Sequence, residues 1–218
     1  MKKRLVIAIS LLILLTTISS QQKFFISKFN LKKINIENNF LLKDKDLKNL
    51  LAPIYGKNLL FLKNAEVKKA LMKNNFIESF NIKKKYPSTL KIQIFEKKLI
   101  AILFDKKNKF YLSEKLDLIE FKNLPNYQNL PYIIGNKDDF ETFYNNLKKI
   151  NFPFDIVVKY SLYESKRWDL ETKNDEVIKL PSKNYIESLE NYLNLKNKSS
   201  FEKYKIFDYR INNQLILK

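Results

Sequence analysis

The sequence predicts an α+β protein with an N-terminal transmembrane helix, a small β-α-α-β-β domain, and a mostly antiparallel β domain with flanking helices. Apolar residues make up 45% of the chain and occur along its whole length, so both domains have side chains to bury. Residues 47–54 repeat apolar side chains with helical spacing, whereas residues 90–94 alternate apolar and polar side chains as a strand does. An uncharged apolar stretch near the N-terminus accounts for the membrane helix.

The charge of the chain is strongly positive, with 41 Lys and Arg against 23 Asp and Glu and a net charge of +18. The lysines are scattered between Asn, Ile, Phe and Tyr. This amino-acid composition indicates AT-rich codon usage rather than a basic patch selected for binding. A nucleic-acid or cell-wall binder would concentrate its charge on one face, with exposed aromatic residues between the cations. We therefore do not expect nucleic acid as a partner.

Cysteine and histidine are both absent, which limits the chemistry available to the chain. No disulfide, thiolate metal site, cysteine nucleophile or imidazole base can form. The sequence also lacks a Gly-rich phosphate loop, a nucleophile-elbow serine motif and a pair of carboxylates at a spacing that would indicate a catalytic site. We expect no enzymatic activity, no cofactor and no metal.

The N-terminal region has the pattern of a membrane-directing segment. Lys2, Lys3 and Arg4 precede an uncharged run from Leu5 to Ser20. As a helix this run is about 24 Å long, short of the ~30 Å hydrocarbon core, so the residues alone leave a retained anchor and a cleaved signal equally open. In either case the positive-inside rule keeps residues 1–4 in the cytoplasm, and residues 5–22 are the segment that would form a transmembrane anchor if it is retained.

Residues 26–97 are predicted to form the first folded domain. A strand over 29–36, interrupted in phase between Lys32 and Lys33, precedes two helices near 47–54 and 65–73. Two alternating strands near 80–83 and 90–94 follow, joined by a turn at Pro87. Helices on one face of a three-stranded sheet give one small core.

Three phrases in this region resemble a POTRA domain of the FtsQ/DivIB type. They are Asn-Leu-Leu-Phe-Leu at 58–62, Lys-Lys-Tyr-Pro-Ser-Thr-Leu-Lys-Ile at 84–92, and Glu96 at the end of the last strand. Two positions depart from the family pattern: residues 37–39 are Glu-Asn-Asn where the family usually has Gly-Asn, and Leu99 stands in place of Pro. Taken singly, Pro87 and Leu90 are explained by turn chemistry and packing.

Residues 98–218 are predicted to form the second domain, which is rich in short strands. A helix begins near Asp138 or Asp139, and a second follows Pro181. Val177 to Leu180 is predicted to pair as a hairpin with the strand near 168–171. The strand-like runs are 101–104, 110–112, 118–121, 130–134, 156–163, 168–171, 177–180, 204–210 and 214–217.

The second domain resembles the β domain of the same family. The phrases that carry the resemblance are Arg-Trp-Asp-Leu at 167–170, Ile-Lys-Leu at 178–180 and Phe-Asp-Tyr-Arg at 207–210. The resemblance implies an essential-type bacterial scaffold that links early and late divisome proteins at the septum. It also implies an uncleaved anchor in the inner membrane and a periplasmic C-terminal body.

In this family the C-terminal strands pair with a strand of a small bitopic division protein, FtsB, which travels with FtsL. The resemblance implies further divisome contacts through the POTRA domain, to which we assign no residues. It places the contact with FtsB on Arg167 of a neighbouring strand and on Arg210, Ile211, Asn212, Asn213 and Leu215.

Each of these positions also has a purely structural interpretation. Asp208 and Arg210 can equally form an internal ion pair, and Ile211, Leu215 and Leu217 can equally pack in the core. For Trp168 we favour the core, because a lone large aromatic residue in a small domain usually packs.

A different class of protein remains as the alternative. POTRA domains also occur in factors for outer-membrane or secretion assembly, which carry tandem POTRA units and a membrane barrel. This chain shows one such unit and no long barrel region.

Overall fold

The computed structural model describes residues 2–211 and 214–218, without side-chain placement for residue 2 and residues 15–25. The chain divides into two compact units, Met1–Lys97 and Lys98–Lys218. Unit 1 begins with helix α1, Lys2–Ser27.

The rest of unit 1 is a two-layer α/β domain. Helices α2 and α3 cover one face of a sheet in the order β1-β3-β2, in which β1 is parallel and β2 antiparallel to β3. Leu90, Ile92 and Ile94 of β3 are fully buried beneath the helices. The predicted β-α-α-β-β order is confirmed, with β1 Lys33–Glu37, α2 Asp44–Leu50, α3 Asn64–Leu71, β2 Ile77–Lys85 and β3 Thr89–Glu96.

The phase interruption at the start of β1 has a clear backbone cause. The N–H groups of Lys32 and Lys33 both donate to the carbonyl oxygen of Ser88, at 2.9 and 3.2 Å. Two consecutive residues therefore face one partner, as in a β-bulge. As a result Leu31 and Ile34 are both buried although they are three residues apart.

The loop that follows β1 is held by a single carboxylate. Glu96 accepts hydrogen bonds from the N–H groups of Phe40, Leu41 and Leu42, at 3.1, 2.8 and 2.9 Å. Asn38 adopts φ = 64°, a left-handed conformation that asparagine tolerates better than most residues. The loop after β1 therefore begins with a left-handed residue that is not glycine.

The prediction of a transmembrane helix over 5–22 is wrong. Helix α1 does form there, but no helix within 2–211 and 214–218 is both long and apolar enough to cross a membrane. The physical reason lies in the uncharged run Leu5–Ser20, whose helical rise of about 24 Å falls short of a ~30 Å bilayer core.

Unit 2 is built on one nine-stranded sheet in the order β12-β11-β10-β9-β8-β7-β4-β5-β6. Most neighbours are antiparallel, as predicted, while β4–β7, β7–β8 and β10–β11 are parallel. The strands are β4 Leu99–Asp105, β5 Asn108–Ser113, β6 Leu118–Glu120, β7 Tyr132–Ile134, β8 Val157–Leu162, β9 Trp168–Thr172, β10 Val177–Lys179, β11 Ile206–Asp208 and β12 Ile216–Leu217.

Two helices, α4 (Lys137–Lys149) and α5 (Tyr185–Lys196), provide crossovers between parallel strands. Asn136 caps α4 by accepting a hydrogen bond from the Asp139 N–H at 2.9 Å. Trp168 is 5% exposed and stacks on Phe143 of α4 with ring centroids 4.9 Å apart, so its predicted core position is confirmed. On the sheet face opposite these helices, Lys159, Glu171 and Lys179 are partly exposed to solvent.

Candidate partner-binding site

A row of charged side chains crosses the open face of unit 2 near the C-terminus. Lys179 of β10 is in register with Asp169 of β9 on one side and with Asp208 of β11 on the other. Side chains at every second strand position point to the same face, so the three lie side by side on neighbouring strands. Both carboxylates are largely buried, with side-chain exposures of 8% for Asp169 and 9% for Asp208.

Arg210 closes this row at the β11 end. Its Nε donates to Oδ1 of Asp208 at 2.8 Å, and its Nη2 donates to Oδ2 at 2.6 Å. The backbone N–H of Arg210 also donates to Oδ1, at 3.1 Å. The guanidinium is thus held in a bidentate internal pair, yet 46% of its side chain remains exposed.

Arg167 closes the row at the β9 end. Its Nη1 donates to Oδ1 of Asp169 at 2.9 Å, and its guanidinium carbon lies 4.0 Å from the ring centroid of Tyr163. A stacked guanidinium with a carboxylate partner has one orientation, which the aromatic ring helps to fix. Arg167 is less accessible than Arg210, with 20% of its side chain exposed.

The electrostatics of the two carboxylates differ. Hydrogen bonds from the Arg210 guanidinium lower the pKa of Asp208, whereas burial raises the pKa of Asp169 against the opposing effect of Arg167 and Lys179. Arg210 also acts on Asp169 electrostatically. Three cations face two carboxylates in this row, so it carries one positive charge in excess.

Strand β12 forms the edge of the nine-stranded sheet next to this row. Ile206 and Lys218 exchange backbone hydrogen bonds at 2.9 and 3.1 Å. Bonding pairs alternate with non-bonding pairs between antiparallel strands, so the N–H and C=O of Leu217, opposite Phe207, point away from β11. The outer side of β12 therefore presents backbone groups to a further strand.

A cavity of about 430 Å³ lies on the helix side of this edge. It is bounded by α5 and by the C-terminal segment, including Asn191, Tyr209, Ile211 and Leu215. Tyr209 donates its hydroxyl hydrogen bond to Asn191 at 3.0 Å, which fixes one wall. The cavity can accept a side chain that projects from a strand added to β12.

The structure places the residues predicted for partner contact as follows. It brings Arg167 and Arg210 to the two ends of one charged row, and it leaves Ile211 51% exposed. Leu215 is partly buried and packs against the core, which agrees with the packing interpretation of this position. Asn212 and Asn213 lie outside the described residues.

Sequence reasoning missed the role of Lys179 and Asp169 in this arrangement. Both lie in phrases that the resemblance drew on, but neither was assigned to the site. The available signal was charge at strand positions that point away from the apolar core, since Asp169 alternates with buried Trp168 and Leu170, and Lys179 with buried Ile178 and Leu180.

Comparison with known proteins supports the predicted family of the first folded domain directly. Residues 29–97 match the family described as "POTRA domain, FtsQ-type". This range contains β1 to β3 and both helices between them. Unit 1 therefore contains an FtsQ-type POTRA domain.

Similarity to curated proteins extends over most of the chain. Cell division protein FtsQ of Rickettsia bellii is 27% identical over 190 residues, which cover 85% of this chain and 71% of that protein. FtsQ of Rickettsia conorii gives the same values, and FtsQ of Rickettsia felis is 27% identical over 191 residues.

Among solved structures, the major extracytoplasmic domain of the division protein DivIB from Geobacillus stearothermophilus is similar at 16% identity. Its TM-score is 0.33, over 45% of this chain and 89% of that one. The resemblance predicted from the sequence is confirmed by the family match and the curated relatives: residues 29–97 match the FtsQ-type POTRA family, and the chain is similar to FtsQ cell division proteins over most of its length.

Proposed function

We propose that the protein is a septal scaffold that links early and late division proteins and binds an FtsB/FtsL-like complex by strand addition to β12. In this proposal its POTRA domain contacts further divisome proteins. The observation that carries the proposal is the position of β12 at the edge of the sheet, with the backbone groups of Leu217 directed outward.

Charge gives this edge its selectivity. Arg210 follows the strand that pairs with β12, and its guanidinium is already oriented by Asp208. Because less side-chain freedom is lost on binding, a pre-oriented cation favours a carboxylate of the partner. The excess positive charge of the row makes an acidic partner strand the best match.

The cavity beside β12 gives the edge a second source of selectivity. A strand alternates its side chains between two faces, so one set would meet the charged row while the other would point towards Tyr209 and Ile211. We therefore expect the partner strand to alternate acidic residues with bulky apolar ones.

The proposal is tested by a pull-down of the full chain with the FtsB-like protein of the same organism. Wild type is compared with Arg210→Glu and with a chain that ends after Asp208. We expect both variants to lose binding, because one reverses the charge at the site and the other removes β12. Circular dichroism and thermal unfolding establish that each variant remains folded.

Lys198→Glu is the matched control, since it makes the same charge reversal at an exposed residue distant in sequence from β12. Its binding should equal that of wild type. Retained binding by the truncated chain would exclude strand addition at β12. No binding by wild type would contradict the assignment of the partner.

A further inference from the structure

The open face of the POTRA sheet carries a second concentration of charge. Residues of β1, β2 and β3 that alternate with the buried core point to this face, because it has no covering helix. Lys83 is in register with Lys91, and Lys85 and Lys33 are both in register with Thr89. Four lysines thus lie on neighbouring positions of one small surface, which we call the lysine face: Lys33, Lys83, Lys85 and Lys91.

The charge of the lysine face is not balanced internally. Lys91 pairs with Glu37 at 2.7 Å. Glu78, the acidic residue of β2, lies near the N-terminal end of that strand, whereas Lys83 and Lys85 lie at its C-terminal end. Within residues 2–211 and 214–218, Lys33, Lys83 and Lys85 form no ion pair. On the open face of unit 2, by contrast, Lys159 pairs with Glu171 at 2.7 Å and Lys179 lies between two aspartates.

Strand β2 is an edge strand whose apolar side is incompletely covered. It extends over nine residues, and β3 is its neighbour on one side only. Phe80 and Ile82 point to the core side but are only half-buried, whereas Ile92 and Ile94, which pair with them on β3, are completely buried. A further strand beside β2 would cover these two side chains.

The opposite edge of the sheet is less suited to an added strand. Strand β1 has five residues, and Asp44, Lys48 and Tyr55 line the groove beside it. This groove mixes the two signs of charge. The length of β2 and the three consecutive lysines at its C-terminal end, Lys83 to Lys85, make β2 the better edge.

We propose that β2 is a docking edge for an extended acidic segment of a partner protein, which adds as a fourth strand to the POTRA sheet. Residues on one face of this segment are carboxylates that meet Lys83 and Lys85. Residues on its other face are apolar and cover Phe80 and Ile82. This identifies the chemistry of the divisome partner that the proposed function assigns to the POTRA domain, and it rests on that function.

Lysines on an edge strand can also serve only to prevent aggregation. Charge reversal separates the two roles, because Lys83→Glu with Lys85→Glu keeps the edge charged but repels an acidic strand. Lys106→Glu with Lys107→Glu, in the exposed turn between β4 and β5, is the matched control.

The test measures binding of a fluorescent peptide, equal in length to β2 and alternating Glu with Val, to the full chain. A Lys/Val peptide, an N-methylated Glu/Val peptide and phosphatidylglycerol vesicles are the other probes. We expect the Glu/Val peptide to bind, the Lys83/Lys85 variant to bind roughly tenfold more weakly or worse, and the control variant to match wild type. Hydrogen exchange of β2 amides should slow when the peptide binds.

Equal binding of the N-methylated peptide would exclude strand addition, since that peptide cannot complete the backbone ladder. Binding of vesicles without binding of the peptide would identify an anionic surface as the ligand and overturn the proposal, as would no effect of Lys83→Glu with Lys85→Glu. None of these outcomes affects the β12 pull-down, so the two proposals fail separately.

Discussion

Arg210 binds Asp208, two residues before it, through a bidentate contact with Nε–Oδ1 and Nη2–Oδ2 distances of 2.8 and 2.6 Å. The same arginine follows β11, the strand that pairs with the edge strand β12, and 46% of its side chain is exposed. Internal pairing and partner contact are therefore compatible: the pair orients the guanidinium, and its exposed side remains available.

This pair predicts a pH-dependent loss of stability in Arg210→Gln. The Arg210 guanidinium lowers the pKa of Asp208, so the pair stabilises the fold above the unfolded-state pKa of about 3.9 and loses this effect as the pH falls through the folded-state pKa. Urea unfolding of wild type and variant should differ near neutral pH and converge in acid.

Lys198→Gln is the control, because it removes a charge from an exposed lysine. Its stability difference from wild type should not change in the acid range. A pH-independent difference for Arg210→Gln would show that Asp208 does not depend on this guanidinium.

Lys179→Met should destabilise unit 2 by about 1–3 kcal/mol. Methionine retains much of the apolar stem but leaves Asp169 and Asp208, both largely buried, on either side of a neutral residue. Urea unfolding measures the loss. The control is Lys173→Met in the exposed turn after β9, which should change stability by less than about 0.5 kcal/mol; an equal loss in both variants would refute a special role for Lys179.

Glu96→Gln should loosen the loop after β1 and cost unit 1 about 1–3 kcal/mol. The variant loses the negative charge, and its amide nitrogen cannot accept the hydrogen bonds that Phe40, Leu41 and Leu42 donate. Hydrogen exchange at these three amides should accelerate. Asp46→Asn, an exposed residue in the first turn of α2, is the matched control, and unchanged exchange in Glu96→Gln would contradict this account.

Local patterns allowed much of the fold to be predicted. The β-α-α-β-β order of unit 1 was predicted from the periodicity of its apolar residues. The burial of Trp168 was predicted because it is the one tryptophan of the sequence and a large aromatic residue in a small domain. The strand order of unit 2 could not be predicted, because the parallel pairing of β10 with β11 depends on the crossover through α5 rather than on neighbouring residues.

The candidate site, like the fold, could be predicted only in part from the sequence. Arg167 and Arg210 were identified from short phrases, but only the register of β9, β10 and β11 shows that they end one charged row. Lys179 was missed because its two partners lie on different strands, one of them distant in sequence. The prediction of a membrane helix was wrong for another reason. The sequence shows an apolar run, but this run is too short to cross the hydrocarbon core of a bilayer.

Buried tyrosines predict a loss of stability in alkali. Burial raises the pKa of Tyr160, Tyr192 and Tyr209 above the ordinary value of about 10. A group whose folded-state pKa is raised contributes stability that is complete below its unfolded-state pKa and lost above it. Stability should therefore fall above about pH 10, with each such tyrosine adding up to about 1.4 kcal/mol per pH unit.

Tyr160→Phe removes one of these groups and should make the alkaline decline shallower by up to about 1.4 kcal/mol per pH unit. Urea unfolding between about pH 9 and pH 11 measures the slope. Tyr132→Phe, at a ring that is 40% exposed, is the matched control and should keep the wild-type slope. If both variants kept the wild-type slope, the Tyr160 phenol would ionise equally in the folded and unfolded chains, which its 2% exposure argues against.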